Sequence, residues 1–445
     1  MNLRWRQYWQ MLRESLWFVP GLMVLSAFAL AWGLVTLDSG ATATGTRRFS
    51  PPYDPGVDAA RDMLAAIAGS MLTVAALAFS LTLAAISLVS TQYSPRVLRN
   101  FMRDEVNQFV LGYFVSVFCY CLVVQGTIRG PDEGRFVPAT AVLAGLLLAF
   151  GGVAALIFFI HHIAEGLQTG TIVRTITRET REAIAEMFPL GLGEPIVDEE
   201  KAQAAFAYAA EQQGWKPVVS DQSGYLQQID TAALMQWAIR HRAVVRLDYP
   251  VGAFVGTGTS LFSVRSGMEV PGDPPAEWPD DLMKCVALGR HRNMEQDVGF
   301  GIQQLVDIAL KALSPAVNDT TTAIMAVDHL GDIGGALARS EFPSPLRSDG
   351  RHLRVLVRTG SFEEYIRLSF DLVRINARGN HAVFERLLRA LALVASQAAT
   401  PERKAVLREQ AGLLLEFAGQ TLQTAYEQKG VRELYAELQH TWQGE

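Results

Sequence analysis

A stretch in the second half of the chain holds the densest group of residues that could take part in chemistry. The candidates are Arg290, Arg292, Glu295, Asp297, Ser314, Asn318 and Asp319. Arginine side chains bind phosphate or carboxylate oxygens, and a carboxylate beside a serine can supply an acid, a base or a nucleophile. The group therefore predicts a ligand site or an ion-pair network between subunits or domains, and we favour the network. Capping of a helix explains Asn318 and Asp319 about as well as function does.

Catalytic motifs do not accompany these residues. The sequence has no Gly-x-Ser-x-Gly elbow, no phosphate-binding glycine loop, no kinase signature and no cysteine and histidine spacing typical of metal sites. Its three cysteines, Cys119, Cys121 and Cys285, fit burial as small apolar residues. We therefore expect no catalytic residue, no metal and no cofactor, and an enzyme acting on a lipid or phosphorylated substrate is the weakest alternative.

A second candidate group lies on a long apolar helix, where small and hydroxyl residues recur at helical spacing. Its hydroxyl members are Ser70, Thr73, Ser80, Ser87 and Thr91. Small residues let membrane helices approach closely, so packing alone is the simplest explanation of this stripe. Alternatively, several copies of the helix line a pore that the hydroxyls wet, or the stripe borders a lipid groove. The stripe contains no charge, so it predicts no ion selectivity.

The elements that carry these residues begin with four apolar segments. They cover approximately residues 17–37, 65–90, 108–128 and 137–160. Each is as long as a bilayer core requires and lacks Asp, Glu, Lys and Arg. The first segment lacks the cleavage site of a secretory signal, so we expect it to remain as an anchor. The sequence thus predicts an α-helical multipass membrane domain with four transmembrane helices over residues 1–164.

Arginines flank the four segments unevenly. Nine lie on the side of the N-terminus, and five lie on the other side together with several aspartates. Because positive residues are retained in the cytoplasm, we expect both termini to be cytoplasmic. The stripe then ends at a basic turn, from Ser90 to Phe101. This turn predicts anchoring at the membrane interface, and a gate is the second interpretation.

The remainder of the chain has the composition of a soluble protein. Charged residues make up 19% of the whole chain and are dense only after about residue 165. The net charge is −6, and no cluster of lysines and arginines with interleaved aromatics is present. Nucleic acid is therefore an unexpected partner, whereas membrane lipid and further copies of this chain are the expected ones.

Three regions are expected after the membrane domain. Residues 165–213 predict a helical connector that continues the fourth span as one helix to about Phe188, and this helix would couple the two parts mechanically. Residues 214–350 predict a cytoplasmic mixed α/β domain, with short strands around a helix that Asp230 can cap.

His161 and Glu165 are four residues apart and could share a metal ion or a proton, although a structural pair is the simpler interpretation.

Residues 351–445 predict a C-terminal helical bundle. The four helices expected there run from Ser361 to Ala377, His381 to Gln397, Pro401 to Gln428 and Val431 to Trp442. Glycine interrupts helices, so Gly430 is expected to separate the last two.

Several of these features together resemble a known family. They are the four apolar spans, the turn from Gln92 to Pro95, and a run of residues from Gln296 to Asp319 that ends in Ser-Pro-x-x-Asn-Asp. Over essentially its full length the chain is similar to a bacterial family of predicted membrane proteins with a domain of unknown function (domain of unknown function 2254). This resemblance implies a multipass protein of the inner membrane, and it implies no activity or site residues. Our leading hypothesis is a homo-oligomeric channel or channel-like transporter, and the alternative is a membrane-anchored binding or signalling scaffold.

Overall fold

The computed structural model describes residues 17–44, 56–92, 104–130, 136–188, 194–195, 214–266 and 278–443. These residues form two compact units, the first ending at Thr171 and the second beginning at Ile172. The end of the expected helical connector, residues 196–213, lies outside the described residues, and so does the part of the basic turn that follows Gln92. The first residues of that turn, up to Gln92, are helical.

Four long apolar helices make up the first unit. They are α1 (Phe18–Thr44), α2 (Val57–Gln92), α3 (Glu105–Thr127) and α4 (Ala139–Gly166). Each is long and apolar enough to cross a membrane, by length and composition, and the four predicted spans are confirmed to that extent. Glycines and prolines between Asp38 and Asp62 predict an irregular connection after the first span. The structure is helical up to Thr44 and again from Val57, so that prediction is wrong at both ends.

Helix α3 lies at the centre of this unit and packs against the other three helices. Tyr120 is fully buried on α3 and donates a hydrogen bond to the carbonyl oxygen of Ala141 on α4 at 2.8 Å. The first position of α4 follows Pro138, which has no capping side chain. Asp38 at the far end of α1 supplies the missing acceptor, because its carboxylate accepts the Thr140 amide at 3.0 Å.

The fourth apolar helix ends earlier than expected. Helix α4 stops at Gly166, and a separate helix, α5 (Thr169–Met187), follows. The amide of Leu167 donates to the carbonyl of Ile163 at 3.1 Å and closes α4 as a C-terminal cap. A glycine at the last position lowers the cost of leaving the helical conformation. The prediction of one continuous helix is therefore wrong.

Two β-sheets form part of the second unit. Their strands are β1 (Glu194–Pro195), β2 (Lys216–Val219), β3 (Gly224–Ile229), β4 (Ala243–Leu247), β5 (Phe254–Val255), β6 (Ser260–Ser266), β7 (Val286–Gly289), β8 (Leu346–Ser348) and β9 (Leu353–Val357). The larger sheet has the order β1-β8-β9-β4-β6-β2, and the smaller has the order β5-β3-β7. Strands β4 and β9 pair in parallel, with Val245 opposite Val355, and the other described pairs are antiparallel.

Short helices accompany these strands. Helix α6 (Thr231–Arg240) packs against β4 and β9, and α7 (Trp278–Met283) precedes β7. Asp230 caps α6 by accepting the Ala233 amide at 2.9 Å, so the expected cap is present.

Strands β8 and β9 were not expected: residues 351–445 predict a helical bundle, but β9 lies inside that range, and β8 lies just before it. Asp349 organises the turn between them: its carboxylate accepts the amide of His352 at 2.8 Å and the guanidinium of Arg354 at 2.7 Å. Val355 and Val357 are buried on β9, where β-branched side chains pack well. The parallel partner β4 is about a hundred residues away in sequence, and local patterns do not reveal such a pairing.

The remaining helices of this unit pack on one another. They are α8 (Val298–Ala312), α9 (Thr320–Arg339), α10 (Phe362–Asn376), α11 (His381–Ala395), α12 (Pro401–Thr421) and α13 (Ala425–Gln443). Helix α9 packs against α8 and α11, and α10 packs against α8 and α12. The expected mixture of strands and helices followed by C-terminal helices is therefore present.

The last two helices divide at a different residue from the expected one. Helix α12 ends at Thr421, and the following turn contains Thr424, whose hydroxyl accepts the amide of Glu427 at 3.2 Å as α13 begins. Gly430 lies inside α13, where a Cβ atom would approach the His381 ring of α11 to 2.9 Å. Gly430 therefore permits close packing between helices, and its expected role as a break is wrong.

Candidate functional site

The start of α8 holds an ion pair between two of the sequence candidates. Asp297 is the N-cap of α8 and accepts the amide of Phe300 at 2.9 Å. The guanidinium of Arg292 binds both carboxylate oxygens of Asp297, at 2.7 and 2.8 Å, and its centre lies 5.2 Å from the Phe300 ring centroid. Burial raises the pKa of Asp297, and the hydrogen bonds from Arg292 oppose that shift. The pair fixes the position at which α8 begins.

The turn before β5 closes over this ion pair. Gly252 has a φ of +88°, and a Cβ atom at that position would collide with the carboxylate of Asp297. Glycine is required there both by the backbone conformation and by the lack of space. The pair is thus enclosed by packing, in keeping with the 5% exposure of Asp297.

Glutamine side chains fasten the candidate segment to the smaller sheet. The amide group of Gln296 accepts from the backbone of Ile229 on β3 at 2.9 Å and donates to the carbonyl of the same residue at 3.3 Å. Gln227 donates to the carbonyl oxygen of His291 at 2.6 Å. Glu295 is partly buried, whereas Arg290 is exposed and forms no ion pair with a described residue. Hydrogen bonds of two glutamine side chains therefore hold this segment against strand β3.

The second candidate segment lies at the other end of α8. Ser314 donates to the carbonyl of Lys311 at 2.7 Å, and Asn318 takes a left-handed conformation with a φ of +48°. Asp319 caps α9 by accepting the amide and the hydroxyl of Thr322 at 3.0 and 2.6 Å, and these bonds lower the pKa of Asp319. The capping interpretation is confirmed for Asp319.

The two segments do not form one site within a chain. Helix α8 has 15 residues, which correspond to about 22 Å at 1.5 Å per residue. Arg292 and Asp297 lie at its start, and Ser314 to Asp319 lie beyond its end. Among the described residues, no three His, Cys, Asp or Glu side chains are grouped closely enough to hold a metal ion.

A cavity of about 40 Å³ lies where α6, α8 and α10 begin. Its wall includes Thr231 at the start of α6, Asp297 at the start of α8 and Tyr365 near the start of α10. The loop after β9 contributes Arg358 and Thr359, and the end of α5 contributes apolar side chains. We call this space the three-helix cavity. Of these five residues, only Asp297 was predicted from the sequence as a candidate site residue. The other four could not be grouped with it, because the lining segments are far apart along the chain.

The predicted pore-lining residues of the first unit lie on one outward face of α2. Ser70, Thr73, Ser80 and Ser87 are exposed, and the side chain of Thr91 falls outside the described part of the chain. Three hydroxyls donate to carbonyl oxygens four residues earlier: Ser70 to Ala66 at 2.6 Å, Thr73 to Gly69 at 2.9 Å and Ser80 to Ala76 at 2.9 Å. Among the described residues of the first unit this face has no close helix neighbour at Gly69, since a Cβ atom there would meet none of their atoms within 4 Å.

Polar side chains near the start of α3 were also missed. Asn107 and Gln108 are buried, and their side-chain oxygen and nitrogen atoms have no hydrogen-bond partner among the residues that the structure describes. Asp104 caps α3 and lies 2.5 Å from His162 on α4, whereas the expected pair of His161 and Glu165 is exposed with a 3.3 Å separation. Polar side chains within an apolar span often mark a functional position, and a search for charged residues alone does not find the amides of Asn107 and Gln108.

Comparison with known proteins agrees with these features. Residues 13–393 match the model of a family described as a predicted membrane protein (DUF2254). An uncharacterized protein of Mycobacterium tuberculosis (strain CDC 1551) and one of Mycobacterium bovis are each 30% identical over 412 residues, which are 92% of this chain and 77% of each relative. No solved structure matches significantly. The chain belongs to the family of predicted membrane proteins that share domain of unknown function 2254.

Proposed function

We propose that this protein is a homo-oligomeric channel or channel-like transporter of the bacterial inner membrane. Copies of α2 line a shared pore, both termini lie in the cytoplasm, and the second unit gates the pore or senses a ligand. Membrane lipid and further copies of the chain are its partners. The observation that carries this proposal is the outward direction of the hydroxyl stripe on α2.

The direction of the stripe follows from the opposite face of the same helix. The buried residues of α2 are Ala60, Leu64, Ile67, Ala68, Met71, Ala75, Ala78, Ala85 and Val89. At about 100° per residue, Ser80 and Thr73 lie roughly 180° from the centre of that face. The chain therefore packs α2 internally through alanines and leaves the hydroxyls outside, so packing within the chain does not explain them.

The outward face suits contact with a second α2 helix. Gly69 and the alanines beside it lack bulk, and small residues permit close approach of helices in a membrane. Because Ser70, Thr73 and Ser80 bond to their own helix, an association buries no unsatisfied hydroxyl hydrogen. Larger apolar residues flank the stripe on one side, among them Leu72 and Leu83. These residues face lipid in a ring of α2 helices.

Cysteine cross-linking tests the shared axis. Ser26 on α1 is a matched control, because it is exposed and its hydroxyl likewise bonds to its own helix, at 2.7 Å from the carbonyl of Met23. In a background with the three native cysteines replaced, we expect Ser80→Cys in native membranes to form covalent dimers under oxidation, and Ser26→Cys to remain monomeric. Cross-linking of both variants to the same extent, or of neither, would contradict a specific α2 interface.

Electrical recording tests conduction separately. Purified protein in planar bilayers with potassium chloride is expected to conduct, Ser80→Leu to reduce the current strongly, and Ser26→Leu to leave it unchanged. A protein that gives no current and no Ser80→Cys dimers is not a shared pore.

A membrane-anchored binding or signalling scaffold is the second candidate. The three-helix cavity favours it, because a mostly apolar cavity with a few polar groups in its wall is a feature of ligand-binding proteins. The particle mass in detergent separates the two candidates, since a monomer has no shared pore.

A further inference from the structure

We propose that the three-helix cavity binds a phosphate-class oxyanion, either as a free ion or as the phosphoryl end of a small molecule. This inference goes beyond the proposed pore, because it concerns the second unit alone and is measured as binding without any flux. The argument depends on the donor groups, the local charge and the size of the cavity.

The polar groups in the wall of the cavity are mostly donors that are not in use. The guanidinium of Arg358 and the hydroxyls of Thr231, Thr359 and Tyr365 form no hydrogen bond or ion pair with any residue that the structure describes. Arginine offers several N–H donors and no acceptor, and its fork matches the oxygens of phosphate. A cavity lined by one cationic side chain and three hydroxyl groups has the donor set of an anion-binding site.

The local field has the same sign. Helices α6 and α8 begin in the wall of the cavity, at Thr231 and Val298, and Gly360 in the wall precedes the first turn of α10. The first amides of a helix have no acceptor within the helix, and the N-terminal end carries a partial positive charge. Asp230 and Asp297 each accept one of these amides, so the remaining first-turn amides act together with Arg358 in favouring an anion.

The carboxylate in the wall does not reverse this field. Asp297 accepts hydrogen bonds from the Nε and Nη2 atoms of Arg292 and also caps α8, so its negative charge is balanced locally. Burial, with Asp297 and Glu364 nearby, raises the pKa of Tyr365 to about 12. The phenol therefore keeps its proton near neutral pH and remains a donor.

The volume limits the ligand. A cavity of about 40 Å³ holds on the order of three water molecules when each requires about 10–15 Å³. This space suits one oxyanion and is too small for an entire nucleotide. Arg358 is exposed at the rim, so a phosphoryl group on a larger molecule can enter while the rest of that molecule remains in solvent.

Titration calorimetry on the detergent-solubilised full chain tests the site. The probes are inorganic phosphate, glycerol 3-phosphate and acetate, and they separate a free ion, a phosphomonoester and a planar carboxylate. We expect a phosphate probe to bind, and both Arg358→Gln and Tyr365→Phe to weaken that binding about tenfold or more, as loss of one hydrogen bond to a charged group implies. The Tyr365→Phe change removes only a hydroxyl that forms no hydrogen bond with a described residue, so the stability of the fold should not change.

Arg290→Gln is the matched control, because Arg290 is an exposed arginine of the same unit that does not line the cavity. Its affinity for phosphate should equal that of the unmodified chain. The proposal fails if neither phosphate probe binds, if acetate binds as tightly as they do, or if only Arg290→Gln weakens binding.

Discussion

Carboxylates of the second unit show what a single residue can and cannot reveal from sequence. Asp319 precedes an apolar helix, so the sequence predicts its capping role, and Asp319 caps α9 in the structure. Asp297 caps α8 in the same way, although no capping role was predicted for it. The ion pair of Arg292 with Asp297 spans five residues of one segment. The unused donors at Thr231, Arg358 and Tyr365 could not be predicted, because only the tertiary fold brings them to one cavity.

Asp349 predicts a dependence of stability on pH. Burial opposes ionisation of this carboxyl, but hydrogen bonds from the amides of His352 and Arg351 and from Arg354 lower its pKa from 3.8 to about 2. A carboxyl with a lowered pKa in the folded state stabilises the fold above about pH 4, and that contribution is lost as the pH falls to about 2. The contribution is about 2 kcal/mol, at about 1.4 kcal/mol per pH unit.

The measurement is the thermal midpoint of the detergent-solubilised chain between pH 5 and pH 2, at intervals of about half a unit. We expect Asp349→Asn to be less stable than the unmodified chain at pH 5 and to lose less stability on acidification. Parallel curves for the two proteins would show that Asp349 does not contribute to the acid transition.

At the scale of elements, the sequence is most informative where a local rule decides the outcome. The apolar spans and the cap of α6 follow from length, composition and one side chain, and they are present as expected. Two glycines show the limit of such rules. Gly166 ends a helix that was expected to continue, whereas Gly430 lies inside one that was expected to stop. At Gly430 the approach of His381 from α11 requires a residue without a side chain, and a local rule cannot show this contact.

The packing of α5 on α8 gives a prediction for a third glycine. A Cβ atom at Gly301 would clash with the side chain of Thr180 on α5. We expect Gly301→Ala to destabilise the second unit by about 1–3 kcal/mol, because overpacking displaces one helix from the other. The additional change Thr180→Ala should recover only part of this loss in urea unfolding, because the Cβ atom of residue 180 would still lie 2.9 Å away.

Gly412 in α12 provides the control, since a Cβ atom there would meet only the hydroxyl oxygen of Tyr435 at 3.9 Å. Gly412→Ala should leave stability unchanged or raise it by about 0.5–1 kcal/mol, as removal of a helical glycine does. Equal effects of the two alanines would refute the packing argument.

The whole molecule divides into an apolar helical unit and a mixed unit, and charge density alone indicated that division. The sheet order could not be read from the chain in the same way. Strand β9 joins β4 across a long sequence separation and pairs with β8 in a segment without strong strand periodicity. Non-local pairings of this kind depend on the whole fold and leave little trace in local composition.

Cysteine accessibility tests the expected topology of the whole chain. Ser50 lies between α1 and α2 in sequence, and Ser314 lies in the second unit. In a cysteine-free background, an impermeant maleimide should label Ser50→Cys in intact spheroplasts and label Ser314→Cys only after lysis. Labelling of Ser314→Cys in intact spheroplasts would invert the topology and place the second unit outside the cytoplasm.

The hydroxyls on α2 have one more property that follows from their hydrogen bonds. Ser70, Thr73 and Ser80 each direct their hydrogen inward to a backbone carbonyl, so their lone pairs point away from the helix. These three hydroxyl groups therefore offer hydrogen-bond acceptors on the outward face of α2. In the proposed pore, a molecule that donates hydrogen bonds, water included, meets an acceptor at each of these positions.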